Sequence, residues 1–195
     1  LSSVRPFGSQ RDMYHKDYEW LNHSISPTKL DTQDFRVTVG EGDNLYEASI
    51  LNISGTSFGA LSPPAIEALN KGARMGGFAH NTGEGGIALS HRAGRGDLIW
   101  QVSTGYFGCR TQDGDFDPEL FKEKAADDQV KMIEIKLSQG AKPGHGGILP
   151  AAKLTKEIAE IRDVPMGKDV NSPPGHKAFS NPLEFMEFIK KIRGL

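Results

Sequence analysis

The sequence is poor in cysteine, in long apolar runs and in excess charge of one sign. It has a single cysteine, Cys109, in 195 residues, which excludes an intramolecular disulfide framework and is typical of a reducing compartment. No apolar stretch approaches the roughly 20 residues that a membrane helix needs. The first ten residues also lack the apolar segment of a secretory signal. We therefore expect a cytoplasmic protein.

The charge pattern excludes further classes of function. The formal net charge is -2, and no long basic run is present, so we expect no nucleic-acid partner and no anionic membrane surface as a partner. The six histidines show none of the spacings typical of metal ligands. We expect no metal site, and we interpret Cys109 as a small apolar filler.

Glycine, by contrast, is abundant and concentrated in four loops. Each loop follows a short apolar run, and two of them surround one charged side chain, Glu84 in one and Lys142 in the other. The four loops cover residues 55–59, 81–86, 103–108 and 139–147. Because glycine lets a backbone approach a ligand closely at a cost in conformational entropy, this concentration predicts a binding site.

The unit of apolar run, glycine loop and helical stretch recurs along the chain. It starts with a predicted strand at residues 48–53 and ends with one at residues 130–137. Alternating strands and helices predict a parallel sheet. With four glycine loops at strand ends, we favour a (β/α)₈ TIM-barrel type over an open doubly wound sheet. A complete barrel needs about 250 residues, so we expect its first half only.

This repeat also predicts the division of the chain. Residues 1–44 are interpreted as an extended N-terminal arm with one short strand, and residues 45–195 as a partial barrel. One helix is predicted to begin at Pro63, after Ser62 as its N-cap residue. Two more helices are predicted in the last third of the chain.

The strand at residues 132–137 carries two charged residues on one face. Its period of two places Ile133 and Ile135 on one side and Glu134 and Lys136 on the other. In a barrel the aliphatic side would pack under helices and Lys136 would lie near the mouth. The alternative is an edge strand whose polar side faces water.

Five segments together resemble the synthase domain of the glutamate synthase family. They are GTSFGALSP at residues 55–63, NTGEGG at 81–86, QVSTGYFG at 101–108, IEIKLSQGAKPG at 133–144 and SPPGH at 172–176. Each glycine motif alone is weak, whereas the ordered set is specific. The pattern is most similar to the short, stand-alone members of the family.

The resemblance implies a (β/α)₈ barrel that binds FMN and an enzyme that reduces 2-iminoglutarate, formed from 2-oxoglutarate and ammonia, to L-glutamate. It also implies an electron donor, either ferredoxin or an NAD(P)H-linked reductase. An iron–sulfur cluster is expected only in a full-length parent protein, because the family's cluster cysteines lie beyond the position equivalent to residue 195.

The resemblance further assigns roles to individual residues. Four residues, Ser57, Thr82, Gln101 and Lys136, match positions around the flavin. Thr104 and Lys142 match residues that hold the carboxylates of the oxo acid. Glu84 matches an acid that couples the site to the delivery of electrons and ammonia. We take Glu84, Lys142 and Thr104 as candidate catalytic residues.

Three positions depart from the family's large enzymes. Leu1 stands at the start, where those enzymes have a nucleophilic cysteine. His145 replaces an acidic residue. Ile148 replaces a glutamine that contacts the oxo acid, and an isoleucine cannot donate a hydrogen bond to a carboxylate. This change leaves one alternative open, an FMN oxidoreductase for a different oxo or imino acid. The expected half barrel, without the later strands and the cluster cysteines, leaves a second one open, a non-catalytic assembly module without flavin. The module would need a second copy or the missing barrel half.

Overall fold

The computed structural model describes residues 14–16, 19, 22, 24–29, 31, 35–139 and 146–195. The chain divides into two compact units, residues 1–33 and residues 34–195. In the first unit, the described residues form turns and bends without helix or strand. The predicted division into residues 1–44 and 45–195 stays a prediction.

The second unit begins with an antiparallel hairpin. Strands β1 (Arg36–Val39) and β2 (Tyr46–Ser49) pair in the register Val37 with Ala48. This corrects the predicted strand at residues 48–53, because its first two residues belong to the hairpin while Ile50 and Leu51 are exposed. Only Ile53, at its end, forms a parallel bridge, with His80. The apolar run is therefore shared between two sheets.

A three-stranded parallel sheet follows, and it positions the glycine loops. Strands β3 (His80–Asn81), β4 (Leu98–Val102) and β5 (Val130–Ile135) pair in chain order. Consecutive parallel strands in chain order are the arrangement that βαβ units produce. The expected mixed α/β fold with a parallel sheet is confirmed; closure into a barrel stays a prediction.

Three helices alternate with these strands. They are α1 (Pro63–Gly76), α2 (Leu89–Ala93) and α3 (Pro118–Ala125). The predicted start at Pro63 is confirmed, with Ser62 in the extended N-cap conformation. The α1 helix ends where Gly77 adopts a left-handed φ of 66°, which glycine does at little cost. The α2 helix was not predicted, because five residues are too few to show a period.

The last third of the described chain combines a small antiparallel sheet with two helices. Strands β6 (Gly147–Leu149) and β7 (Val170–Ser172) pair with each other. Helices α4 (Lys156–Arg162) and α5 (Pro182–Arg193) confirm the two predicted terminal helices. Thr155 and Asn181 cap them by accepting backbone N–H bonds, as N-cap side chains do.

The aliphatic side of β5 packs against the helices, as its period predicts. Ile133 and Ile135 contact a buried cluster that contains Trp100, Val102 and Phe121. Leu137 does not join them: it lies beyond the end of the strand and is 54% exposed. A second cluster, around Ile66 and Ile158, joins α1 to α4.

Among the described residues, β5 pairs with β4 alone, so its other edge is open. Beside this strand lies a groove of about 870 Å³ between the hairpin turn, β5 and α5. Apolar side chains such as Met132, Ile133 and Ile189 line much of it. In the described part of the chain, none of the helices combines the length and the apolarity needed to cross a membrane.

Candidate functional site

The site lies where the parallel strands end. Glu84 follows β3, Ser103 and Thr104 follow β4, and Lys136 and Gln139 follow β5. Because the carboxyl ends of parallel strands meet at one edge of a sheet, residues from three distant segments come together. This edge is where open α/β sheets and barrels bind their ligands.

The Glu84 carboxylate is the centre of the cluster. Its Oε2 atom accepts hydrogen bonds from the Ser103 hydroxyl at 2.9 Å and from the Gln139 amide at 2.7 Å. The Lys136 ammonium lies 3.3 Å from the same oxygen. Three donors of different chemistry therefore converge on one oxygen atom.

These contacts decide the charge of Glu84. Burial by itself would raise the pKa of its carboxyl group, because a low-dielectric surrounding disfavours the charged form. The hydrogen bond from Gln139, the positive charge of Lys136 and the bond from Ser103 together outweigh burial and hold the pKa below its ordinary value of 4.5. Glu84 is therefore ionised at neutral pH.

Gln139 joins the three loops to each other. Its amide nitrogen lies 3.1 Å from the Ser103 hydroxyl and 3.2 Å from that of Thr104, in addition to its contact with Glu84. Its carbonyl oxygen is 3.5 Å from the Lys136 ammonium. The Thr104 hydroxyl in turn donates to the carbonyl of Pro173 at 2.6 Å. The cluster is thereby tied to the segment that follows β7.

Gly83 allows the loop of Glu84 to pack against the first glycine loop. Its φ is 65°, and an added Cβ would lie only 2.5 Å from the Ser57 backbone nitrogen. A side chain at this position would therefore collide with backbone. In the same contact, the Glu84 backbone N–H donates to the Ser57 hydroxyl at 3.0 Å. Ser57 thus positions the backbone of Glu84.

A second polar layer lies below this cluster on the same side of the sheet. Glu134 accepts from the Asn81 amide at 2.9 Å and also from the Gln101 amide. Thr82 is buried, and its hydroxyl donates to the Gly83 carbonyl and accepts from the Gln101 backbone N–H. The hydroxyl of Thr82 therefore holds the loop, whereas the amide of Gln101 lies on the polar side of the sheet.

Arg162 is a buried cation near this edge. Its guanidinium donates to the Phe58 carbonyl at 2.9 Å and lies over the Phe107 ring at 4.9 Å. Its Nε atom has no hydrogen-bond partner among the described residues. A Cβ on Gly85 would lie 3.2 Å from its Nη2. Burial lowers the pKa of Arg162, while the charge of Glu84 raises it.

Two neutral histidines support the loops from below. His91 accepts the Ala88 N–H at Nδ1 and donates to the Thr56 carbonyl from Nε2. The His80 ring lies 5.4 Å from that of His91. Burial lowers the pKa of each to about 4. Both rings are uncharged at neutral pH and serve as packing and hydrogen-bonding groups.

The structure brings most of the predicted site residues to one edge. Glu84, Thr104 and Lys136 share the Gln139 contacts, and Ser57 lies directly behind Glu84. The seventh predicted residue, Lys142, lies outside the described residues.

Sequence reasoning assigned no role to Ser103, Gln139 or Arg162. The first two could have been found, because each is a polar residue that follows a strand by only a few positions. A single arginine in the last turn of a helix carries no such signal, because basic residues are ordinary there.

The described residues supply neither a metal-ligand group nor a reactive thiol. Within the described ranges, no group of three or more His, Cys, Asp or Glu side chains is placed to hold a metal ion. Cys109 is buried, and burial raises its pKa to about 12. Its thiol is therefore protonated at neutral pH and lacks the thiolate character that a nucleophile needs.

A family model described as the conserved region in glutamate synthase matches residues 13–195. A glutamate synthase large subunit-like protein of Rhizobium meliloti is 36% identical over 99% of this chain and 42% of its own length. Another, YerD of Bacillus subtilis, is 44% identical over 76% of this chain and 28% of its own length. An archaeal NADPH glutamate synthase of Archaeoglobus fulgidus is 36% identical over 77% of this chain and 27% of its own length. The chain thus spans less than half the length of these relatives.

Proposed function

The chain belongs to the glutamate synthase family, and we propose that it carries part of an FMN-dependent site that reduces 2-iminoglutarate to L-glutamate. The observation that supports this most is the convergence of a carboxylate, an ammonium group and an amide at the carboxyl edge of the parallel sheet. In this proposal 2-oxoglutarate and ammonia supply the imine. Electrons come from ferredoxin or an NAD(P)H-linked reductase, and the relatives named NADPH glutamate synthases favour the second donor.

The residues at the edge fit a flavin. When bound, reduced FMN would supply the hydride for the imine carbon, and it is this reduced form that carries negative charge at the pyrimidine ring. The Lys136 ammonium would supply a positive charge beside that ring. Its distance from Glu84, 3.3 Å, is longer than the 2.7–2.9 Å typical of tight charge-assisted bonds. The ammonium therefore remains available to a second anionic group. The Gln101 amide and the loops of Ser57 and Thr82 complete the proposed surface for the cofactor.

The ionised Glu84 would favour the reactive form of the substrate. A carboxylate stabilises a neighbouring cation, and a protonated imine is both a cation and a better hydride acceptor than the neutral imine. Lys142 and Thr104 would hold the carboxylates of the substrate, and Arg162 adds a buried positive charge to the same region. The chain would thus orient the substrate and keep its nitrogen protonated.

The open edge of β5 supports the barrel as the complete fold. An unpaired edge exposes backbone N–H and C=O groups that another strand can use. The apolar groove of about 870 Å³ beside it offers space for side chains of further strand–helix units. Because the matched relatives are longer than this chain, we assign that space to such units of a complete (β/α)₈ barrel.

The position of Ile148 favours a second candidate, a different oxo acid. Ile148 lies on β6 and is 70% exposed. An added Cβ on its neighbour Gly147 would lie 3.4 Å from Glu84 Oε1, so β6 borders the cluster. An apolar residue at this border provides no donor to a second carboxylate, which suits a monocarboxylic 2-oxo acid.

Substitution of Lys142 tests the proposal. In the protein at its natural length, Lys142→Ala should weaken 2-oxoglutarate binding about tenfold to a hundredfold, the effect of losing one hydrogen bond to a charged group, while flavin content stays unchanged. The measurement is a titration of flavin absorbance, with Lys168→Ala, an exposed lysine, as the matched control. Repeating it with a monocarboxylic 2-oxo acid separates the two substrates.

Two outcomes count against the proposal. Equal affinity in Lys142→Ala and Lys168→Ala would remove Lys142 from the site. A purified protein that takes up no flavin would favour the alternative of a non-catalytic assembly module.

A further inference from the structure

His176 connects two segments of the site through its two ring nitrogens. Its Nε2 atom lies 2.8 Å from the backbone carbonyl of Lys136, and its Nδ1 atom lies 3.0 Å from the Tyr106 hydroxyl. The histidine follows β7, Lys136 follows β5 and Tyr106 belongs to the loop after β4. One side chain therefore links three segments that are distant in sequence.

The direction of these hydrogen bonds follows from their partners. A carbonyl only accepts, so His176 must carry its proton on Nε2 and donate it to Lys136. The Tyr106 oxygen already accepts the Ala178 N–H at 3.1 Å, so its own hydrogen is available for His176 Nδ1. Burial lowers the pKa of His176, in keeping with a neutral ring. The chain of bonds runs from Tyr106 through His176 to the Lys136 backbone.

Neighbouring groups restrict the orientation of the His176 ring. Its ring stacks on Phe179 with centroids 4.4 Å apart and an interplanar angle of 20°. Tyr106 is fully buried and has a φ of 49°, an uncommon conformation for a residue with a side chain. The His176 ring itself is half-buried, and its stacking on Phe179 and its bond to the buried Tyr106 restrict its orientation.

The Lys136 backbone is held on both sides as a result. Its N–H donates to the Val102 carbonyl at 2.9 Å, which extends the β4–β5 pairing by one residue. Its carbonyl accepts from His176. Since β5 ends at Ile135, these two bonds replace the strand ladder at this position. They determine where the Lys136 side chain starts and thus whether its ammonium reaches Glu84.

We propose that His176 is a positioning residue for Lys136: its Nε2–H bond to the Lys136 carbonyl keeps the ammonium group at the carboxyl edge of the sheet. The catalytic meaning of this role rests on the proposed function, in which Lys136 lies beside the flavin. The geometry itself does not need the cofactor. A test on Lys136 without flavin therefore separates the two ideas.

Two substitutions of His176 each keep one of its two hydrogen bonds and lose the other. Gln places an amide nitrogen near the former Nε2 position, so His176→Gln keeps the donor to Lys136 and loses the acceptor for Tyr106. Asn reaches only the Nδ1 position, so His176→Asn keeps the acceptor and loses the donor. A purely structural role would make the two variants alike.

The readout is the rate at which acetic anhydride modifies Lys136, followed by peptide mass spectrometry in the protein at its natural length without flavin. His176→Asn should raise this rate about three- to tenfold, the range expected for one hydrogen bond, and His176→Gln should change it by less than about twofold. Lys124 is the internal control, because its side chain is 26% exposed and that of Lys136 is 29% exposed. Its rate should stay constant in both variants.

Equal rates at Lys136 in both variants, or a parallel rise at Lys124, would overturn the inference. If His176→Asn does not fold, nitrogen NMR of the wild-type histidines gives the decision. The inference requires that His176 is protonated at Nε2 and unprotonated at Nδ1, and the opposite tautomer contradicts it. If these results hold but no flavin binds, the proposed function fails and the positioning role stands.

Discussion

The two faces of the parallel sheet differ in what their side chains contact. On one face, Trp100 and Val102 of β4 pack with Ile133 and Ile135 of β5 in a buried apolar cluster. On the other face of the same strands, Gln101 hydrogen-bonds Glu134, which is exposed. Alternate residues of a strand point to opposite faces, so one short sequence supplies both surfaces.

The difference separates stability from function. Burial of apolar surface is the main favourable contribution to folding, and here it lies on the helix-covered face. The polar face buries little apolar surface and instead holds charged groups at defined distances. We expect substitutions on the apolar face to change mainly the free energy of unfolding, and substitutions on the polar face to change mainly ligand binding and pH dependence.

The largest effect is expected on the apolar face. Trp100 is fully buried and stacks on Phe121 with centroids 5.3 Å apart. Trp100→Ala should lower the free energy of unfolding by about 3–5 kcal/mol, the usual cost of deleting a large buried side chain. The measurement is chemical denaturation.

The neighbouring residue on the polar face is the matched control. Gln101→Met removes one donor to Glu134, which keeps its bond from Asn81, and should cost only about 1 kcal/mol. Similar losses in both variants would contradict the separation of the two faces.

The second-largest effect is a fall in the free energy of unfolding at acid pH. His80 and His91 have folded pKa values of about 4 against 6.5 ordinarily. Between these values the unfolded chain binds protons that the folded protein does not. The free energy of unfolding should therefore fall as the pH is lowered from 6.5 towards 4, by roughly 1–3 kcal/mol for each histidine. Denaturation curves at a series of pH values measure this slope.

A single substitution sharpens that result. His91→Gln keeps a donor in place of Nε2 but removes the titrating group, so its slope between pH 6.5 and 4 should be clearly shallower than that of the wild type. An unchanged slope would show that His91 does not supply the pH dependence.

The smallest effect on stability is expected at Glu84. Its folded pKa lies below 4.5, so the ionised form stabilises the fold above that pH, and this contribution disappears as the pH falls through the folded pKa. Glu84→Gln should cost about 1 kcal/mol or less at pH 7, because Lys136 is partly exposed and water screens the pair. It should also reduce the acid dependence below pH 4.5 by the contribution of Glu84.

Glu187→Gln, an exposed position on α5, provides the control for denaturation at pH 7 and pH 3.5. A loss at Glu84 as large as that at Trp100 would show that the polar face also determines stability. Equal acid dependence in the Glu84 variant and the wild type would remove Glu84 as its source.

Local pattern was sufficient for some elements of the fold and for residues that the structure brings to one edge. The period of two in residues 132–137 predicted both faces of β5, and Ser62 with Pro63 predicted the start of α1. The glycine loop predicted Glu84, the polar face of the strand predicted Lys136, and the family resemblance added Thr104. The side chains of these three residues lie at one edge. These features depend on residues close together in sequence, where steric and hydrogen-bonding preferences are strong.

Local pattern failed where pairing partners compete. The apolar run at residues 48–53 shows no change of sequence pattern along its length. Even so, Ala48 pairs with β1 and Ile53 with β3. The strands β6 and β7 have three residues each, which is too few to show a period. In both cases the available partner, rather than the intrinsic preference of the segment, decides the structure.

The amino-acid sequence by itself determined the kind of fold, the glycine loops and the types of residue available at their ends. Only the tertiary structure decided that Gln139 would join Glu84 to Thr104, that Arg162 would be buried beside Gly85, and that His176 would hold the Lys136 carbonyl. The physical reason is the range of the interactions. Hydrogen bonds and ion pairs act over a few ångströms, and here they join residues from 35 to 104 positions apart, which only the packing of strands and helices brings within reach.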